Sequence, residues 1–209
     1  MNNFLLRTFS IVLLLPFFLY ILYVNNYFFL LLLILIFFIC IYEVKFLFGK
    51  ITFFILLFLI TFFIYALIKL RGNDILNFYF LTWVLLIVWL SDIGGYIFGK
   101  LIGGAKLCKL SPNKTISGFF GSIFFSQFAF FLNIKYSQNL NFTIQVLLFQ
   151  LTICLISIGG DLFFSYIKRK YNIKDYSNLI PGHGGLLDRI DGLIFAIIFS
   201  YLLKFFYAY

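Results

Sequence analysis

The stretch "ITFFILLFLITFFIYALI", residues 51–68, contains no charged side chain, no glycine and no proline. As an α-helix, 18 residues rise ~27 Å, close to the ~30 Å hydrocarbon core of a bilayer. Apolar side chains occupy every face of that helix. The run therefore does not read as a half-buried surface helix. Nor does it show the period-two alternation of a barrel strand. Working outward, seven such runs can be drawn, at roughly 8–24, 27–42, 51–69, 75–91, 118–134, 143–167 and 190–207. Across the chain 64% of residues are hydrophobic, 23% aromatic and only 11% charged, against ~25% charged in soluble domains. The expected fold class is all-α: a polytopic integral membrane helical bundle of about seven transmembrane helices, forming one domain over 1–209.

Arg7 ahead of the first run resembles the start of a secretory signal, but no small-residue cleavage site follows, so a retained first helix is expected. Cys40, Cys108 and Cys154 form no CxxC pair and read as inert thiols. The net charge of +9 is distributed as a membrane anchor, not as a nucleic-acid footprint. With seven alternating spans, one face receives twelve of the sixteen basic residues: Arg7, Lys45, Lys50, Lys100, Lys106, Lys109, Lys114, Lys168, Arg169, Lys170, Lys174 and Arg189. That bias marks a cytoplasmic face, with the N-terminus inside. No nucleic-acid partner is expected.

The chemistry-bearing residues come late. Residues 1–90 read as supporting spans, whereas 91–209 carry two long polar segments, 92–117 and 168–189, on the basic face. "GGYIFGKLIGG" (94–104) nearly spells a phosphate-binding P-loop, but Leu101 follows Lys100 where Ser or Thr is required, and no strand precedes it. Gly95, Gly99 and Gly103 instead place small residues on one helix face for close packing.

Asp161 lies within the sixth run behind two glycines. An intramembrane carboxylate costs about 2.5–3.5 kcal/mol on insertion scales and is a functional candidate for that reason. Ser165 and Lys168 follow at i+4 and i+7 on the same face, and a structural Lys168–Asp161 pair is the bland alternative. Asp188 and Asp191, one turn apart at the start of the last run, suit a helix N-terminus. With Asp161 they make a candidate hard-cation site with oxygen ligands; simple capping is the alternative. "PGHGG" (181–185) excludes helix interior and favours a loop whose amides could nest an anion. His183 within it is a binding candidate. In "SPNKTISG" (111–118), Lys114 and Thr115 are placed to meet phosphate oxygens.

Taken in order, these residues resemble the phosphatidate cytidylyltransferases, also called CDP-diacylglycerol synthases. Ser165, Lys168, Arg169, Lys174, Asp175, Pro181, His183, Gly184, Gly185, Asp188, Arg189 and Asp191 occupy the fixed positions of that family's C-terminal signature, over 165–191. Gly160 and Asp161 resemble the Gly-Asp just upstream. "SDIGGYIFGK" (91–100) is similar to the family's Asp-containing segment, with Gly95 where alanine is usual. One element departs: where the family shows Trp and Glu after Ser-Pro-Lys-Lys-Thr, this chain has Ile116 and Ser117.

The resemblance implies an enzyme that converts CTP and phosphatidic acid to CDP-diacylglycerol and pyrophosphate. It implies catalytic roles for Asp161, Asp188, Asp191, Lys168 and Arg189, with the three aspartates holding Mg2+ and a second cation allowed for. Substrate-binding roles fall to Ser111, Lys114, Thr115, Ser165, Arg169, Lys174, His183, Gly184 and Gly185. The expected partners are the two substrates, membrane lipids and a second copy of the chain in a homodimer. The expected location is a bacterial inner membrane, with the site on its cytoplasmic face. Within the same chemistry, a cytidylyltransferase for another lipid phosphate, such as an ether or polyprenyl one, is the alternative, and two further rivals are disfavoured. A CDP-alcohol phosphatidyltransferase would follow its Asp-x-x-Asp-Gly with Ala-Arg and further acids, and a transporter would show paired broken helices in two related halves.

Overall fold

The computed structural model describes residues 20, 23, 26–45, 49–108, 111, 114–131, 144–179 and 184–204. These form six α-helices: α1 (Asn26–Lys45), α2 (Lys50–Arg71), α3 (Ile75–Leu101), α4 (Ile116–Ser126), α5 (Ile144–Lys170) and α6 (Leu187–Lys204), with one 3-10 turn, Gln127–Ala129, continuing α4. A bilayer offers backbone groups no water, so helices that close their own hydrogen bonds are the natural solution for these runs. The all-α expectation holds. Six of the seven expected runs coincide with these helices, whereas run 8–24 lies outside the described residues. Four helices, α1, α2, α3 and α5, are long and apolar enough to cross a membrane. The α4 segment is shorter than such a span, and α6 carries four charged residues in its eighteen.

Contacts between distant ends set α2 against α5, and α3 against α6, in opposite directions. Thr52 at the start of α2 hydrogen-bonds the Tyr171 hydroxyl just past the end of α5 (2.6 Å). At the opposite face, Lys204 at the end of α6 donates to Asn77 at the start of α3 (2.5 Å). Tyr27, Phe28 and Leu31 of α1, and Ile51, Phe54 and Phe58 of α2, remain exposed, as lipid-facing residues do. The core lies between α2, α3, α5 and α6. Trp83 stacks on Phe149 there (centroids 4.9 Å apart), and the buried Gln150 amide, with its oxygen and nitrogen exchanged to satisfy its neighbours, accepts from Trp83 Nε1 at 3.2 Å.

Two glycine seams position the polar elements. Along α3 against α4, a Cβ on Gly95 would lie 2.6 Å from Ser122 Oγ, and one on Gly118 would lie 2.8 Å from the Gly95 carbonyl. The expected Gly95/Gly99 stripe is thus a packing surface. Gly103 does not belong to it, since it lies beyond the helix end with φ +64° and nothing within 4 Å of its Cβ position. Gly94 joins the seam instead, against Gly121. Along α5 against α6, a Cβ on Gly160 would meet Phe195 at 2.9 Å, and one on Gly192 would meet Ser157 Oγ at 2.8 Å. This second seam brings the helix carrying Asp161 against the helix carrying Asp188 and Asp191.

Candidate active site

At 27 residues, α5 is ~40 Å long, ~10 Å more than the hydrocarbon core requires. The surplus falls at the end bearing Asp161 and the basic triplet Lys168, Arg169 and Lys170. Asp161 lies seventeen rises, ~26 Å, from Ile144 and seven rises, ~10 Å, before Lys168.

The 102–115 loop folds back to meet it. Leu107 N donates to the Lys114 carbonyl (2.8 Å) and Ile116 N to the Ala105 carbonyl (3.0 Å), making a short hairpin-like return. Ser117 closes this loop against the end of α3, donating to the Gly103 carbonyl at 2.5 Å and the Phe98 carbonyl at 3.4 Å. Thr115 is the N-cap of α4, its hydroxyl accepting from Gly118 N (3.1 Å), a contact of the kind that satisfies a free amide of the first turn. The half-buried Ser111 accepts from Lys114 N through its carbonyl (3.1 Å).

The loop presents Lys114 directly to Asp161, and the two side chains form an ion pair in which both remain about 30% exposed (27% and 32%). Asp161 also accepts weakly from Ser165 Oγ at 3.4 Å. Beside this pair a cavity of about 210 Å³ is lined by Asp92, Gly95, Lys114, Thr115, Ser157 and Asp161, among others. It is smaller than pockets for drug-sized ligands, ~300–1,000 Å³. A phosphate group fits that scale better than a whole nucleotide.

Lys168 does not pair with Asp161, the bland alternative drawn from their helical spacing. It reaches across to α6 and binds Asp188 Oδ1 at 2.7 Å, both side chains being largely buried (12% and 5% exposed). The other oxygen of Asp188 accepts from Tyr176 N (2.8 Å) and Gly185 N (3.1 Å). Asp188 therefore ties α5, the 171–179 segment and the start of α6 together. Leu186 N and Leu187 N donate to Glu43 of α1, both at 2.8 Å. The amides of 185, 186 and 187 are thus occupied by carboxylates rather than open to an anion. Gly184, in the left-handed region (φ +84°), and the buried Gly185 shape this turn. His183 lies outside the described residues.

Asp191 accepts from its own neighbour's amide, Gly192 N, at 2.8 Å. It lies within electrostatic range of Asp161, Asp92 and Lys168, and Asp92 in turn within range of Asp161, Lys114 and Arg189. Arg169 is exposed and donates to the Ile173 carbonyl at 3.5 Å; Lys174, Asp175 and Arg189 are exposed. Tyr176 is buried in the middle of this assembly. Its phenol is pushed up in pKa, first by burial and then by the negative charge of Asp188, Asp191 and Glu43.

Two acidic participants were not among the expected site residues. Asp92 was visible only as an acid in a family-like segment, and its place on the cavity wall depends on how α3 packs against α4 and α5. Glu43 gave no local signal at all. Among the described residues, no group of three or more His, Cys, Asp or Glu side chains is arranged to hold a metal ion.

The profile of the cytidylyltransferase family matches residues 44–207. Over 128 residues the chain is 38% identical to the phosphatidate cytidylyltransferase of Helicobacter pylori, covering 60% of this chain and 47% of that protein. It is 42% identical over 122 residues to the Staphylococcus aureus protein of that name (57% and 46% covered). Against the Rickettsia bellii protein it is 44% identical over 135 residues (61% and 58%). The chain spans about half the length of these curated relatives. The family match takes in Asp92, Lys114, Asp161, Lys168, Asp188 and Asp191, and by it this chain belongs to the cytidylyltransferase family.

Proposed function

We propose that this chain transfers the cytidylyl group of CTP to phosphatidic acid, giving CDP-diacylglycerol and pyrophosphate for phospholipid synthesis. One observation carries the reading. A glycine-packed pair of helices sets the one that carries Asp161 against the one that carries Asp188 and Asp191, and Asp161 lines a phosphate-sized cavity with Asp92 and the loop residue Lys114. A lipid phosphate and a water-soluble triphosphate have to meet at such a boundary. The face is taken as cytoplasmic, in a bacterial inner membrane, from its excess of basic residues. A homodimer remains part of the proposal.

In the reaction a phosphate oxygen of phosphatidic acid attacks the α-phosphorus of CTP. The bond from that phosphorus to the bridging α–β oxygen breaks, and pyrophosphate leaves with the electron pair. Lys114, released from Asp161, meets incoming phosphate oxygens at the cavity. Arg189 and Arg169, exposed on the same face, neutralise the approaching anions. Lys168 and Asp188 tie the 171–179 segment to the start of α6, and Ser165 steadies Asp161.

Magnesium is the proposed cofactor, with Asp161, Asp188 and Asp191 as its ligands and room for a second cation. The donor chemistry is that of a hard cation, and mutually repelling carboxylates leave charge for a cation to offset. The geometry shown does not fit that ligand set: both oxygens of Asp188 are already engaged, and no three acidic side chains among the described residues converge on one point. When bound, such an ion supplies charge neutralisation for the phosphates.

Purified protein in lipid nanodiscs should release pyrophosphate from CTP only when phosphatidic acid is present, and only with magnesium. Full turnover in excess EDTA refutes the metal role. Turnover with a polyprenyl or ether-lipid phosphate but not with phosphatidic acid replaces the acceptor. No turnover with any lipid phosphate sinks the reading.

A further inference from the structure

The N-terminal helices look like inert scaffold, yet one carboxylate in them reaches the signature loop. Glu43, near the end of α1, is 2% exposed. Its Oε1 accepts from Ser177 Oγ at 2.6 Å and Leu186 N at 2.8 Å, and its Oε2 from Leu187 N at 2.8 Å. All three donors belong to the 171–186 loop or the first turn of α6. A Cβ on Gly185 would fall 2.7 Å from Glu43 Oε1 and 3.1 Å from Asp188 Oδ2, so the glycine there makes room for two carboxylates at once.

We infer that Glu43 is a positioning residue for the catalytic half, bridging Ser177 of the 171–179 segment to the start of α6 and setting the register of α6 from which Asp188 and Asp191 project. The inference rests on the proposed cytidylyl transfer for its kinetic consequence, but not for its structural one. Two features argue against a mere core filler. The bonds run across 134 to 144 residues of sequence to a single loop, and two of them come from free amides of a helix start, where negative charge is favoured. Such amides leave α6 poorly anchored if the carboxylate is lost. The family match begins one residue after Glu43, so the role comes from geometry alone.

The test compares Glu43→Gln with Glu43→Asp in nanodiscs, by hydrogen exchange and by kinetics. Glutamine keeps the volume but turns an NH2 toward a donor; aspartate keeps the charge but is shorter. Positioning by charge predicts that Gln is the worse substitution. It should speed exchange over 184–190 by about tenfold or more and lower kcat by a similar factor, with KM for CTP within about threefold. Exchange in α3 and α4 should stay unchanged, and Ser177→Ala should show the same pattern weakly. A packing role predicts the reverse order, with Asp worse than Gln, or loosening of all helices together. Either result overturns the inference, as does wild-type exchange at 184–190 in Glu43→Gln. If the wild-type chain fails to convert CTP and phosphatidic acid, the functional proposal falls while the exchange measurement still decides the role of Glu43.

Discussion

Replacing Asp188 by Asn separates the two jobs this carboxylate performs. Its side chain is 5% exposed and bonded by Lys168 Nζ at 2.7 Å, Tyr176 N at 2.8 Å and Gly185 N at 3.1 Å. Asparagine removes the charge and can turn an NH2 toward one of those donors. It also leaves Lys168, 12% exposed, without its anion. Breaking a buried pair on one side costs about 3–5 kcal/mol. That cost falls on the loop whose two ends Asp188 joins, and ~3 kcal/mol corresponds to a more than hundredfold rise in the released-loop population. Asp161→Asn breaks a pair with exposures of 27% and 32%, which contributes only ~0–1 kcal/mol. Both variants, and Asp191→Asn, should lose about two orders of magnitude in turnover. Only Asp188→Asn should also lose hydrogen-exchange protection across 171–179 and 184–186. Adding Lys168→Met removes the orphan cation, so the double variant should regain protection without regaining turnover. Equal loop protection in Asp188→Asn and Asp161→Asn, or near-normal turnover in Asp188→Asn, refutes the reasoning.

Lys114→Ala frees Asp161 at little structural cost; the thermal midpoint should move by a few degrees at most, while KM for CTP rises about tenfold. Gly160→Leu forces a side chain into Phe195, already 2.9 Å from a bare Cβ. It should destabilise the protein by about 1–3 kcal/mol or more, whereas Gly159→Ala, with nothing within 4 Å of the added methyl, should keep or slightly raise the melting temperature, since Ala is the better helix former. Ser117→Glu restores the side chain usual in the family but replaces a hydroxyl that donates to two carbonyls. A carboxylate cannot donate there, so turnover and loop protection at 102–116 should both fall; wild-type values would show that the loop adapts.

Much of this protein was legible before folding because the relevant signals are local. A run such as 51–68 determines a membrane-crossing helix by length and apolarity, requirements met within the segment itself. Charge pairing was not legible. Helical spacing offered Lys168 to Asp161 seven residues away, yet Lys168 binds Asp188 and Asp161 is met by Lys114 from another helix connection. An i+7 neighbour lies two turns along the axis, whereas a packed helix is only ~8–10 Å away between axes. Tertiary packing therefore decided which cation reached which carboxylate. It also decided that Glu43, more than 130 residues distant in sequence, holds the loop next to Gly185, because a contact of that separation exists only once α1 and α6 have been brought together.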